Sequence, residues 1–220
     1  PYPALLHGLS AIVNGGAPYF GNFAGPLELG KHTMKDVFTQ LKKRAPYMDG
    51  ETVKYVALHC SQQNRDFNPS ELPKNTLKTE YMEIGLKEVL GTYEALNRSH
   101  LLVDMILDNQ LNSDYMKQYP VLFLSDSACL SDKQCEEMRQ YVRNGGALIA
   151  THQTSILDEF GFPRKNFGLA DVLGVDYEGP ANEKPDSVIY VNQSEDLKKE
   201  FGHLVCFVSE ESNVVTRSDS

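Results

Sequence analysis

One stretch, Tyr119 to Ser155, restricts the fold more than any other. It opens on Val121-Leu-Phe-Leu-Ser-Asp126, a short apolar run suited to a strand buried on both faces. Ser131 stands where a helix needs its N-cap, and Gln134, three residues on, completes a capping box. Cys135, Met138 and Val142 recur at spacings of three and four, so Ser131 to Arg143 reads as a helix with one apolar face. Asn144-Gly145-Gly146 supplies a left-handed C-cap, and Ala147-Leu-Ile-Ala-Thr151 follows as a second strand. Strand, helix and strand in this space make a βαβ unit. Its strands run parallel and its crossover is right-handed.

The alternation extends upstream. Thr52 to His59 reads as a strand, and Leu101 to Ile106 as another. Between them lies a polar loop from Cys60 to Pro69 that runs on to about Lys78, long enough to be functional. Thr79 to Arg98 then reads as a helix with Leu86, Val89, Leu90, Tyr93 and Leu96 on one side. Leu111 to Gln118 is a short helix. The order βαβαβαβ predicts an α/β fold, an open doubly wound parallel sheet of flavodoxin-like type. The expected strand order is 2-1-3-4, with a switch point between the first and third strands. Downstream the regularity loosens. A polar loop is expected over Ser155 to Asn166, one short helix over Phe167 to Leu173, a strand over Ser187 to Asn192 and a frayed tail over Glu210 to Ser220.

Residues 1–50 read differently. Ala4 to Val13 forms a short apolar helix stopped by Asn14-Gly15-Gly16-Ala17-Pro18, and a glycine-rich loop follows. Thr33 to Arg44 reads as an amphipathic helix ending on Lys42, Lys43 and Arg44, where the helix dipole favours cations. Two helices and a loop leave apolar surface that needs a partner. The segment Lys43 to Glu51 is the expected boundary, which divides the chain into 1–50 and 51–220.

Composition narrows the function classes. A chain of 220 residues can bury one good core, or one domain plus a fragment. A net charge of -9 argues against nucleic acid and anionic membrane as main partners. No apolar run approaches a membrane span, and no basic-then-apolar signal opens the chain. A soluble protein is expected, and cytoplasm, periplasm and secretion all stay open. The chain starts Pro-Tyr-Pro without Met, which reads as a processed product or an excised segment. Cys60, Cys129, Cys135 and Cys206 lack CxxC spacing and read as reduced, mostly buried thiols.

Four segments resemble, in order and spacing, the middle domain of bacterial glycoside hydrolases. They are Val121 to Gln134, Tyr141-Val-Arg-Asn-Gly-Gly-Ala-Leu-Ile-Ala-Thr151, Thr154-Ser-Ile-Leu-Asp-Glu159 and Phe167-Gly-Leu-Ala-Asp-Val-Leu-Gly174. The resemblance is to the β-galactosidase trimerisation domain, in the class I glutamine amidotransferase-like superfamily, and within it to fucosidase-like members. It covers roughly residues 53–178. His7-Gly-Leu-Ser-Ala-Ile-Val-Asn-Gly-Gly-Ala-Pro18 is similar to the helix and glycine-rich turn that close a (β/α)8 barrel. Residues 1–50 are then either the end of such a barrel or an N-terminal helical extension. The resemblance implies carbohydrate metabolism, a barrel catalytic domain as neighbour, and a homo-oligomer, a trimer by the family name. It implies no cofactor, and an amidotransferase-like domain incomplete at its C-terminus.

The superfamily's active members carry a Gly-x-Cys-x-Gly nucleophile elbow after a strand. Here that place reads Thr151-His152-Gln153-Thr154-Ser155, without cysteine or either glycine, so thiol-dependent amidotransfer is not expected. In a parallel sheet, ligands bind outside the C-terminal strand ends. His59 and Cys60 follow the first strand, Asp126 and Cys129 the third, and His152 and Gln153 the fourth, so all six are expected at one crevice. Cys129 precedes a helix cap by two residues, where the dipole favours a thiolate. A Cys129–His152 dyad, or a zinc site of His59, Cys60, Cys129 and His152, would make the chain a stand-alone hydrolase or a metal- or small-ligand-binding domain. The plainer alternative has the thiols packing, the histidines hydrogen-bonding to the fold, and the chain serving as a non-catalytic domain for assembly and active-site framing. Glycosidase chemistry needs two carboxylates about 5–10 Å apart. Asp158-Glu159 reads instead as a solvated loop, and Glu136-Glu137 as the polar face of a helix.

Overall fold

The computed structural model of the chain describes residues 2–13, 16–18, 27–48, 50–68, 86–180, 188–190, 205–207 and 213–217. The chain divides into two compact units, Pro1–Val53 and Lys54–Ser220.

The first unit is a helix pair, α1 (Tyr2–Val13) and α2 (Leu27–Arg44). Its close approach depends on Gly8, where a Cβ would lie 2.6 Å from Leu41 Cδ1. Val37 and Leu41 are buried. Three cations, Lys42, Lys43 and Arg44, end α2, and a short 3₁₀ turn over Ala45–Tyr47 carries Pro46 at its start.

The second unit holds the parallel sheet. Its strands are β1 (Val56–His59), β2 (Val103–Ile106), β3 (Val121–Leu124) and β4 (Ala147–Ala150), in the order β2-β1-β3-β4. Val56 pairs with Val103 on one side and Val121 on the other, and Val121 pairs with Ala147. This is the doubly wound, flavodoxin-like α/β sheet that the alternation predicts. The position of each strand in that order explains its burial. Central β1 is buried at all four positions, whereas edge strands β2 and β4 keep Met105 and Ile149 exposed.

Helix α6 (Asp132–Arg143) follows the sequence closely. Ser131 Oγ accepts from Gln134 N (3.1 Å), and Gln134 Oε1 accepts from Ser131 N (2.8 Å). Cys135, Met138 and Tyr141 pack on Leu122 and Leu124 of β3. Gly145 ends the helix at φ 95°, and a side chain at Gly146 would collide with the Tyr141 ring. Tyr141 Oη donates to the Tyr119 carbonyl at 3.0 Å, which ties the helix end to the entry of β3.

Other elements depart from the sequence reading. The expected loop after β1 contains α3 (Gln62–Phe67), a polar helix with no apolar stripe to announce it. Helix α4 is described over Lys87–Arg98, and the rest of the expected Thr79–Arg98 helix lies outside the described residues apart from Leu86. Its buried side is rotated from the one expected. Val89 faces inward, Leu90 and Tyr93 face out, and Thr92 Oγ1 lies 2.8 Å from Ser125 Oγ. α5 (Ser113–Met116) and α7 (Ala170–Leu173) are single turns, shorter than the spans expected for them.

The polar loop expected over Ser155 to Asn166 folds into a hairpin. Arg164 N donates to the Ile156 carbonyl (2.8 Å), Leu157 bridges Pro163, and Asp158 N donates to the Phe162 carbonyl (2.9 Å). Leu157 also bridges Cys129, which fixes the hairpin to the end of β3. The tail is not frayed throughout, since β8 (Asn213–Arg217) pairs antiparallel with β5 (Val175–Pro180). The strand expected over Ser187 to Asn192 contains β6 (Val188–Tyr190), paired antiparallel with β7 (Val205–Phe207).

Candidate functional site at the strand ends

The C-terminal ends of the strands gather the chain's buried polar groups, and Asp108 is their hub. It follows β2, and no sequence motif marks it. His59, fully buried at the end of β1, sits between two partners. Its Nε2 lies 3.2 Å from Asp108 Oδ1, and its Nδ1 lies 2.8 Å from Ser127 Oγ. An ionised carboxylate only accepts, so Nε2 carries the hydrogen that faces Asp108. Asp108 also accepts from Ser61 Oγ (2.7 Å), Gln62 N (2.6 Å) and Gln63 N (3.3 Å). Burial by itself would raise this carboxyl. Hydrogen bonds and charge from His59, with Ser61 and Gln62, outweigh it and hold the group below its ordinary value of 3.8.

These bonds explain α3. A six-residue polar helix has little intrinsic stability. Ser61 caps it by accepting from Asn64 N (2.9 Å), and the Asp108 carboxylate receives its first amides. Asn64 Oδ1 then accepts from Ala128 N (3.1 Å) and Cys129 N (3.3 Å), so α3 is pinned to the chain beyond β3. Gln134, the capping residue of α6, donates from Nε2 to the Asp108 carbonyl at 3.2 Å.

A second network joins β3 to β4. Asp126 and His152 both have left-handed backbones, with φ of 49° and 50°. Such values are uncommon outside glycine and are held here by tertiary bonds. Asp126 N donates to Thr151 Oγ1 (3.0 Å), while Asp126 Oδ1 accepts from Gln153 N (3.0 Å) and lies 3.1 Å from His152 Nδ1. The side chain of Asp126 is buried, and that of His152 is partly exposed.

The six residues expected at one crevice are therefore sorted. His59 belongs to the Asp108 network, whereas Asp126, His152 and Gln153 form the second. Cys60 is half-buried, its thiol raised by burial and the Asp108 charge against a smaller opposing effect of Arg65. Cys129 is completely buried. Burial, followed by the charges of Asp158, Asp108 and Asp126, pushes its thiol up to about 12. The thiolate expected from the helix terminus is thus disfavoured, because desolvation and three carboxylates act against it. Cys135, on α6, is raised to about 11, mainly by burial. Cys60, Cys129 and Cys135 are free thiols, and Cys206 lies in a strand whose side chains are outside the described set. Among the described residues, no three His, Cys, Asp or Glu side chains stand together as a metal site.

Three of the four carboxylates in the two pairs, Asp158, Glu136 and Glu137, have structural partners. Asp158 Oδ1 accepts from Phe160 N (2.9 Å) and Phe162 N (3.0 Å), so it shapes the hairpin tip. Glu137 Oε2 accepts from Ser113 N (2.8 Å) at the start of α5, and Glu136 pairs with Arg139 and Arg143. A cavity of about 310 Å³ opens at the opposite end of the sheet, lined by Lys54, Lys117, Tyr119, Tyr141, Gly145 and Gly146 among others. Both of its lysines are paired, Lys117 with the exposed Asp114 at the surface. Lys54 Nζ lies 2.7 Å from Asp104 Oδ2, which also accepts from Tyr119 Oη at 3.0 Å. Among the described residues, no helix is long and apolar enough to cross a membrane.

No protein-family model matches the chain, and no curated protein matches it in sequence. Solved structures do match. α-L-Fucosidase isoenzyme 2 from Paenibacillus thiaminolyticus aligns with 99% of this chain and 30% of its own, at 17% identity and a TM-score of 0.65. A catalytic variant of Gan42B, a GH42 β-galactosidase from G. stearothermophilus, aligns over 85% of this chain and 25% of its own, at 17% identity and 0.64. The β-galactosidase from Bacillus circulans sp. alkalophilus aligns over 83% and 26%, at 17% identity and 0.63. The chain thus spans about a quarter of the length of the enzymes it matches, and at these identities the likeness is one of fold.

Proposed function

We propose that this chain is a non-catalytic assembly and active-site-framing domain of a multidomain glycoside hydrolase acting on carbohydrate. Residues 1–50 are the end of its (β/α)8 barrel. Residues 51–220 are the amidotransferase-like domain, which packs beside a barrel catalytic domain in a homo-oligomer, a trimer. The observation that carries this reading is the match of 83–99% of the chain to 25–30% of three carbohydrate-acting enzymes. The strand-end chemistry supports it. Polar groups that would face a substrate are spent on one another, and the central thiol stays protonated at neutral pH.

The rival reading, a stand-alone hydrolase or a metal- or small-ligand-binding domain at Cys129 and His152, draws on the His152–Asp126 pair. It lacks an activated nucleophile.

Light scattering and glycoside hydrolysis separate the two. The polypeptide read from upstream of Pro1 is expected to be oligomeric and active on an aryl galactoside or fucoside, and removal of residues 51–220 is expected to dissociate it and lower its activity. A natural start near Pro1, together with hydrolysis by the 220-residue chain alone, would refute the assembly role.

A further inference from the structure

We propose that the tip of the 156–164 hairpin, together with Phe67, is a stacking site for the apolar C–H face of a neutral hexopyranose. The choice of ligand class rests on the carbohydrate reading above. The site itself rests on four features of the hairpin.

The first is exposure. Phe67, Phe160 and Phe162 are 43%, 59% and 67% exposed. Between them the rings offer roughly 250–400 Å², taking about 150–250 Å² for a whole aromatic side chain. That is well below the roughly 800 Å² per partner of a stable protein interface. It suits the footprint of one or two sugar rings.

The second is rigidity. The Phe67 and Phe160 rings meet edge to face with centroids 5.9 Å apart. Asp158 holds both phenylalanine amides, and Gly161 N donates to the Asp158 carbonyl at 3.1 Å. Gly161, at φ 82°, lets the tip lie directly on the Phe67 carbonyl, where a Cβ would not fit. A platform fixed in advance loses little conformational entropy on binding.

The third is charge. Asp158 is consumed by the tip's own amides, and Arg164 is turned inward to Asp132 and to the carbonyls of Leu130 and Leu157. The charge left within the tip, the half-buried Glu159, is negative and repels a phosphorylated or acidic ligand, which selects a neutral one for the ring faces. The fourth is position. The hairpin rises from the C-terminal end of the sheet, where doubly wound domains bind their ligands.

Titration of the ¹⁵N-labelled 220-residue chain with methyl β-galactoside and with lactose tests the site. Amide shifts confined to Phe67 and residues 158–163, with a millimolar Kd of about 10⁻³–10⁻² M, are expected. The double variant Phe160→Ala/Phe162→Ala should bind about tenfold more weakly, while Phe160→Tyr/Phe162→Tyr should keep the affinity. An unchanged thermal midpoint in the Ala variant shows that the fold is intact. Absence of shifts at the tip, or equal shifts in the Ala variant, would overturn the proposal. So would tip shifts that grow with protein concentration in the absence of sugar, since they would mark a contact between chains. Oligomer loss on domain removal with a silent tip defeats this proposal alone, and a sugar-binding tip with an unaffected oligomer defeats the assembly reading alone.

Discussion

Replacing Asp108 by alanine should be the most damaging single change in the α/β unit. The carboxylate accepts from Ser61 Oγ, Gln62 N and Gln63 N and faces His59 Nε2, with only 15% of its side chain exposed. Hydrogen bonds to a charged group contribute roughly 1.5–3 kcal/mol each, and they are not additive. Removing the carboxylate also leaves a buried imidazole N–H unsatisfied, which costs about 1–3 kcal/mol. His59, fully buried, would be that orphan, and with the lost hydroxyl and amide bonds the expected destabilisation is about 3–5 kcal/mol. For a unit of this size that corresponds to a fall in Tm of roughly 6–20 °C. Asp108→Asn should fall between the two, since an amide retains one acceptor oxygen but turns an NH₂ toward existing donors. The sign of the pH dependence follows from the lowered carboxyl. Its stabilisation is present above the unfolded value of 3.8 and is lost as pH falls through the folded one. The difference between wild type and Asp108→Ala should therefore be flat from about pH 5 upward and shrink in acid. Urea unfolding at a series of pH values measures both quantities. A difference below about 1 kcal/mol at neutral pH, or one that widens in acid, would refute the reasoning.

Three further outcomes are expected. Gly161→Ala should cost more than about 2 kcal/mol in urea unfolding, because a left-handed backbone coincides with a clash against the Phe67 carbonyl. Ser131→Ala should cost about 1 kcal/mol by removing the α6 cap, whereas Ser131→Asp should retain most of it. With iodoacetamide at pH 7.5, mass spectrometry should find Cys60 alkylated well before Cys129, whose thiol stands at about 12 behind complete burial; faster labelling of Cys129 would reopen the nucleophile reading.

The sheet could be read from the sequence because its signals are local. Val121 to Thr151 carries strand runs, a capping box and a glycine stop within one short stretch, and each acts through neighbours in the chain. Helix α3 could not be read, since Gln62–Phe67 has no apolar period and its support comes from Asp108, 46 residues away from Gln62. The rotated face of α4 has the same origin. Thr92 faces the sheet because Ser125 waits there, a partner that periodicity does not register. At the candidate site, the strand-end rule points to His59, Asp126, His152 and Gln153 as neighbours of a crevice but does not reach Asp108, the carboxylate to which His59, Ser61, Gln62 and Gln63 bond. Nor did it separate a buried thiol from a reactive one. The dipole at a helix start is visible in sequence, whereas desolvation and three surrounding carboxylates emerge only on folding.

The Asp108 network has a consequence for what the domain can bind. Two amides, a hydroxyl and an imidazole converge on one point, the kind of donor set that would receive a small anion from solution. The chain delivers that anion itself, on a covalent tether. A tethered occupant meets its receptor at high effective concentration and loses no translational freedom on each encounter. This cradle is thus occupied from the moment the strand pairs, whatever the metabolites around it. The donors that a small anion would use are riveted to the fold by a carboxylate of the chain itself.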